Sequence, residues 1–244
     1  MKLKIALFCC FFLLLFSAYS QSENTDYDFD EYIENPDTVS IDIKDYSKYT
    51  TALGGDSVRI IKDKPAAGLI KDYYPNGKIK HLGYYSKGKL TSTYKNFYSN
   101  GTLEREFKAL GTSGGILNLF FSDAKPRLKI RYFKGNNIEY IEYYQNGNVA
   151  SHEKFDKRGE QYDFFKTFYP DGNLKMEMYL IDKKNNTYQE KIYWDNGNLK
   201  QEGIKNFNKS NGDYQKNGEW KLYLDSGKLF KIENYNFGDL EESK

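Results

Sequence analysis

The sequence predicts an all-β fold, an elongated antiparallel β-meander of repeated hairpins with few or no helices after an N-terminal leader. Three observations carry that prediction. An aromatic–turn–aliphatic unit recurs along the chain, a second set of turn signals falls between its copies, and no window of comparable strength shows a 3.6-residue period. The unit reads Tyr73-Tyr74-Pro75-Asn76-Gly77-Lys78-Ile79 and returns around Gly101, Gly147, Gly172, Gly197 and Gly227. These glycines sit 24, 46, 25, 25 and 30 residues apart, so 46 is close to two periods with a degraded copy between. Phe121 to Leu128 is the expected position of that copy. A fixed period of this size marks a repeat architecture, in which neighbouring units bury each other's apolar faces.

Each unit is a hairpin turn. Pro75 and Pro170 exclude a type I′ turn, which needs positive φ at both central residues. Proline followed by Asn or Asp suits a type I turn, after which glycine takes the left-handed conformation and forms a one-residue bulge. A β-carbon there costs about 1–2 kcal/mol, which accounts for Gly77, Gly101, Gly147, Gly172, Gly197 and Gly227 as structural turn glycines. Such a loop pairs Tyr74 with Lys78 and Tyr73 with Ile79. One face then stacks Tyr73, Phe97, Tyr143, Phe168, Tyr193 and Tyr223 against Ile79, Leu103, Val149, Leu174, Leu199 and Leu229, and is the expected core. The other face carries Tyr74, Tyr98, Tyr144, Tyr169 and Trp194 beside polar partners and is expected to be half wet.

From the start of the chain, residues 1–20 read as a signal peptide. Lys2 and Lys4 precede an apolar run from Ile5 to Phe16, and Ala18 and Ser20 give the small residues of a cleavage site after Ser20. The run is short for a membrane span. The chain is therefore expected to be exported, to the periplasm, cell envelope or exterior. Cys9 and Cys10 leave with the leader, and the mature chain keeps no cysteine for disulfide or thiol chemistry. No later stretch is apolar enough to be a transmembrane segment. Residues 21–57 form an acidic, partly disordered arm, with a net charge of −7 over residues 21–50 against +7 over residues 51–244. It reads as a solvated linker, or as a strap lying across the basic repeat face. Thr38–Ile43 is a candidate first strand.

Residues 58–244 form the repeat domain. Turn signals at Lys87-Gly88, Gly111–Gly115, Gly135-Asn136, Arg158-Gly159, Lys183–Asn185, Gly212 or Gly218, and Gly238 alternate with the motif turns. About twelve to fourteen strands follow, with a longer polar loop expected between Ile204 and Asn217.

The Tyr-Tyr-x-Asn-Gly-x-Leu unit and the closing run Asn217 to Leu229 resemble the variant MORN repeat, and more narrowly the bacterial YwqK-type antitoxin family. The resemblance covers roughly residues 66–238. It implies a β-hairpin array that binds other molecules and carries no catalytic set.

The same residues offer chemical alternatives. Gly111-Thr112-Ser113-Gly114-Gly115 has the spelling of a nucleophile elbow, which needs a helix after it and a histidine and acid nearby; Ile116 to Phe121 reads as a strand, and only His81 and His152 are present. Asp26, Asp28 and Asp30 imitate the start of a calcium loop, but Glu31 stands where glycine is required. Two histidines without cysteine give no zinc site. Acidic and basic residues alternate along the strands, as in Lys175-Met176-Glu177, so nucleic acid is not the expected partner. The sequence reading is thus a non-enzymatic module without cofactor or metal. It holds a protein or an envelope glycan on Tyr74, Tyr98, Tyr144, Tyr169 and Trp194. Antitoxin-like neutralisation of a partner is the alternative, and a hydrolase built on Ser113 the remote one.

Overall fold

The computed structural model describes residues 43–111 and 113–243. The signal peptide, the acidic run through Asp37 and nearly all of the candidate strand Thr38–Ile43 lie outside them; Ile43 itself opens a 3-10 turn. Two 3-10 turns, Ile43–Tyr49 and Thr51–Leu53, precede a short hairpin of β1 (Ile60–Ile61) and β2 (Lys64–Pro65). The main sheet then runs through β3 (Gly68–Tyr73), β4 (Ile79–Ser86), β5 (Lys89–Phe97), β6 (Leu103–Leu110), β7 (Gly114–Phe120) and β8 (Pro126–Phe133). It continues with β9 (Asn136–Tyr143), β10 (Val149–Phe155), β11 (Tyr162–Phe168), β12 (Leu174–Asp182) and β13 (Thr187–Tyr193). The last strands are β14 (Leu199–Asn208), β15 (Asp213–Tyr223), β16 (Leu229–Asn236) and β17 (Asp239–Ser243). All fifteen strands from β3 to β17 pair antiparallel with their sequence neighbours in one sheet. No helix among the described residues is long and apolar enough to cross a membrane.

The motif turns follow the geometry their residues dictate. Gly77 N–H donates to the Tyr74 carbonyl at 2.9 Å and Tyr74 N–H to the Lys78 carbonyl at 2.8 Å, closing a type I turn with its bulge. Gly77 sits at φ +79°. The same bond pair closes the turns at Tyr98, Tyr144, Tyr169, Trp194 and Leu224. The degraded copy closes too, from Phe121 to Lys125, with Ala124 forced to φ +67° in glycine's place.

One feature of these hairpins has no signature in the sequence. The register slips by one residue just beyond each of the seven described motif turns. Tyr73 faces Ile79 but Asp72 faces His81, so Lys80 is extra. Glu104, Arg127, Ala150, Lys175, Lys200 and Phe230 occupy the equivalent place. Because side chains alternate with period two, one extra residue moves everything beyond it to the other face.

The stretch from Ile204 to Asn217 is corrected from a loop to a hairpin. β14 and β15 have 10 and 11 residues, the longest strands described, and continue pairing up to Asn208 opposite Asp213. Their polar residues are used across the ladder: Asn217 Nδ2 donates to Asn206 Oδ1 at 3.0 Å and Asn208 Nδ2 to Gln215 Oε1 at 3.0 Å. Phe207 and Tyr214 pack ring to ring at 4.8 Å.

The core is also corrected. Tyr73 and Leu229 are exposed, and the remaining motif residues expected to form the core are only half-buried. Nothing among the described residues is layered over that face at the turns. The main core cluster lies further along the strands on the opposite face, in the row Ile70, Tyr94, Phe107, Leu117 and Ile130, while Leu69, Lys71 and Leu82 are buried on the Tyr73 face. The 3-10 turns cover the row: Tyr46 is fully buried against it and Tyr49 nearly so. Residues 43–53, counted with the arm in the sequence reading, therefore pack as part of the repeat domain. Towards the other end of the sheet the same face encloses Met178, Tyr188 and Trp220, the last lying flat on Gly203, where a β-carbon would come within 2.4 Å of the indole.

The reverse face carries cross-strand charge pairs, such as Lys95–Glu106 at 3.6 Å and Lys166–Glu177 at 3.8 Å. Each is part-exposed and contributes a few tenths of a kcal/mol. Their summed effect is solubility of a wide sheet rather than stability.

Candidate binding face

The five residues singled out as a partner-binding ladder stand in one row along the motif turns, each half-buried. Their polar tips are engaged. Tyr74 hydroxyl donates to the Phe97 carbonyl at 2.6 Å, Tyr98 to Phe120 at 2.8 Å, Tyr144 to Phe168 at 2.8 Å and Tyr169 to Tyr193 at 2.9 Å. Trp194 Nε1 does the same to the Tyr223 carbonyl at 3.2 Å. Every member thus reaches one repeat forward and fastens that repeat's last strand residue before the turn. Strand alternation from Asp72 puts Tyr74 on the face that holds the core, so the ladder extends the core's own face to the sheet margin.

The turn residues make a second row of clasps. The motif asparagine accepts from the backbone N–H two residues on and donates forward: Asn76 Oδ1 accepts from Lys78 N–H at 3.1 Å, and its Nδ2 donates to the Ser99 carbonyl at 2.9 Å. Asn146 and Asn196 repeat this towards Pro170 and Asp225. The residue after glycine reaches the same way, through Thr102 to Ser122, Asn148 to Pro170 and Asn198 to Asp225. The motif is therefore a repeat-to-repeat fastening as well as a turn. From sequence alone these polar residues look merely wet, because a bond to the next repeat depends on the register of the sheet.

At three bulges the extra residue lies over the ladder ring. Lys80, Lys175 and Lys200 place their ammonium groups over Tyr74, Tyr169 and Trp194 at 5.8, 5.6 and 4.2 Å from the ring centroids. The arrangement gives a row of rings whose polar tips are fixed by the fold, three of them part-covered by a long cation.

Ser113 occupies a tight turn between β6 and β7, and strand rather than helix follows it, unlike a nucleophile elbow. His81 is fully buried in a polar network that no sequence motif marks. Arg59 pairs with Asp72 at 2.6 Å, and the Tyr46 hydroxyl donates to the same carboxylate. Arg59 Nη1 donates to the Tyr85 hydroxyl at 3.3 Å, which donates to His81 Nε2 at 3.1 Å. His81 Nδ1–H donates to Asn96 Oδ1 at 2.6 Å, so both ring nitrogens are satisfied in the neutral form. Burial holds the imidazole down to about 3. The Tyr46 ring stacks on it at 3.7 Å. His152 sits elsewhere, 3.0 Å from Glu139. These are the joints of a folded core.

A second aromatic group lies near the opposite ends of the hairpins. Phe155, Tyr162, Phe165, Tyr188, Phe207 and Tyr214 form a chain of ring contacts between 4.4 and 6.1 Å. Tyr188 is fully buried among them. Sequence reasoning missed it because its members come from strand positions without a shared motif.

Comparison with known proteins now bears on this geometry. The model of the MORN repeat variant matches residues 68–87, 136–157, 165–182, 189–204 and 216–236. The chain carries that repeat at five places, and the match does not extend to the narrower YwqK-type resemblance. Such repeats suggest a repeat-based binding module. No curated protein matches the sequence. Among solved structures the chain is similar to TarM at 12% identity, with 48% of this chain and 20% of that chain covered and a TM-score of 0.29. A mutant S. aureus TarM in complex with fondaparinux, alpha-GlcNAc-glycerol and UDP gives 10%, 62%, 21% and 0.28 in the same terms. TcdB2-TccC3-TEV gives 11%, 72%, 12% and 0.21. The chain thus spans about a fifth or less of these proteins' lengths, a likeness too partial to bear on function.

Proposed function

We propose that this chain of MORN repeat variants is an exported, non-enzymatic binding module that holds an envelope macromolecule on the aromatic-lined face of its sheet. The observation that carries the reading is the ladder itself. Tyr74, Tyr98, Tyr144, Tyr169 and Trp194 are half-exposed, yet their polar tips are locked to the next repeat. Rings fixed before contact lose little conformational entropy on binding, and aromatic surface is what interfaces favour. Export is supported by the Lys2–Ser20 leader, and the binding mode by the repeat class.

Replacing the tyrosines by serine would cut the repeat-to-repeat bonds, so the test alters their neighbours. In Lys80→Glu/Lys200→Glu the charge beside Tyr74 and Trp194 is reversed while the hydroxyl and indole bonds remain. Crosslinking in native envelope extracts is expected to capture a defined partner with the wild-type chain and to lose it with this variant. Equal capture by both, or no capture from envelope material by either, would overturn the reading.

A further inference from the structure

The extra bulge residues form a series, and one member breaks it. Lys80, Glu104, Arg127, Lys175, Lys200 and Phe230 are long; Ala150 is not. An alanine cannot lie over the Tyr144 ring as lysine lies over Tyr74, Tyr169 and Trp194. At this place a groove of about 370 Å³ opens, lined among others by Tyr144, Ala150, Ser151, Thr167, Lys175 and Glu142. That size falls at the lower end of small-ligand sites, about 300–1,000 Å³.

Its chemistry is mixed and balanced. Tyr143, Tyr144 and Phe168 line it with aromatic surface, the Ser151 and Thr167 hydroxyls can donate or accept, and one ammonium and one carboxylate balance in charge. The backbone groups of the strands beneath it are paired within the sheet, so an incoming peptide finds no strand edge to extend. We propose that this groove is a subsite for one neutral pyranose ring of an oligosaccharide, its C–H face on Tyr144 and its hydroxyls shared among Ser151, Thr167, Glu142 and Lys175. The inference rests on the binding-face reading above and narrows it to a place and a ligand class.

The test is titration calorimetry of the full chain with cellohexaose, maltohexaose and chitohexaose, and with hexagalacturonate as a charged comparison. At least one neutral sugar is expected to bind, more tightly than the charged one. Ala150→Lys, which rebuilds the cover found in the sister repeats, should weaken that binding by about tenfold or more. Thr167→Ala should weaken it with an unchanged melting curve, which serves if Ala150→Lys folds poorly. Tyr144→Phe should retain it. Absence of binding by all three neutral sugars, preference for the charged one, or equal binding by both groove variants would overturn the subsite. The two readings fail separately. Partner capture lost in Lys80→Glu/Lys200→Glu without sugar binding removes only the pyranose assignment; sugar binding at the groove with normal capture removes only the wider face.

Discussion

Gly172 shows how one atom is excluded from each turn. Its φ is +96°, and a β-carbon would meet only the Asn148 carboxamide, at 3.6 Å. Space is not the constraint; backbone conformation is. Gly172→Val should therefore destabilise by about 1–2 kcal/mol, read as a lower urea midpoint with unchanged slope. The degraded copy supplies the converse. Ala124 already bears the strain at φ +67°, so Ala124→Gly should raise stability by about 1 kcal/mol in the same assay. The glycine slot was readable because only one residue type tolerates it. The neighbouring bulge slot was not, since lysine, glutamate, arginine, alanine and phenylalanine all fill it.

A hairpin of this chain is held to the next by the sheet ladder and by side-chain fastenings at the turn. Tyr98 contributes one such bond to the Phe120 carbonyl at 2.8 Å. Tyr98→Phe keeps the ring and removes the bond, and should cost about 1 kcal/mol, measured by chemical unfolding. Phe121, in the degraded copy, has no hydroxyl to offer; there Lys125 Nζ reaches the Gln145 carbonyl at 3.1 Å and Gln145 Nε2 donates to Asp123 Oδ2 at 3.0 Å. The existence, order and turn type of the hairpins were legible from aromatic, asparagine and glycine spacing. The forward reach of Tyr74, Asn76 and Lys78 was not, because those partners are 22 or 23 residues away and are met only once register is fixed. The hairpin from Leu199 to Tyr223 was hidden for a related reason. Asn206, Asn208, Gln215 and Asn217 look like loop residues until their mutual bonds across β14 and β15 are seen.

Across the whole repeat domain the packing is uneven, and the region under the 3-10 turns carries the buried Arg59–Asp72 pair. Arg59 and Asp72 are nearly inaccessible, bonded to Tyr46 and Tyr85, and these surround a neutral His81. Burial lowers the His81 pKa from 6.5 to about 3. As pH falls the unfolded chain takes up this proton first. The contribution is therefore complete above about pH 6.5 and is lost progressively towards pH 3. Between about pH 6.5 and pH 5 the loss should be about 2 kcal/mol, before most carboxylates titrate. Thermal unfolding across that interval should show the slope in the wild type and a markedly flatter one in His81→Gln. Equal slopes would place the imidazole's proton elsewhere than this network.

The sequence by itself determined the repeat, the type I turn with its left-handed glycine, and the all-β class, because each depends on residues within one hairpin. Only the tertiary structure decided which face is buried, where the bulges fall, and that Tyr46 closes over His81. Those outcomes depend on the accumulated register of fifteen strands and on a segment that returns from outside the repeats. A one-residue slip exchanges the two faces of a strand, and no local pattern of residue types records it.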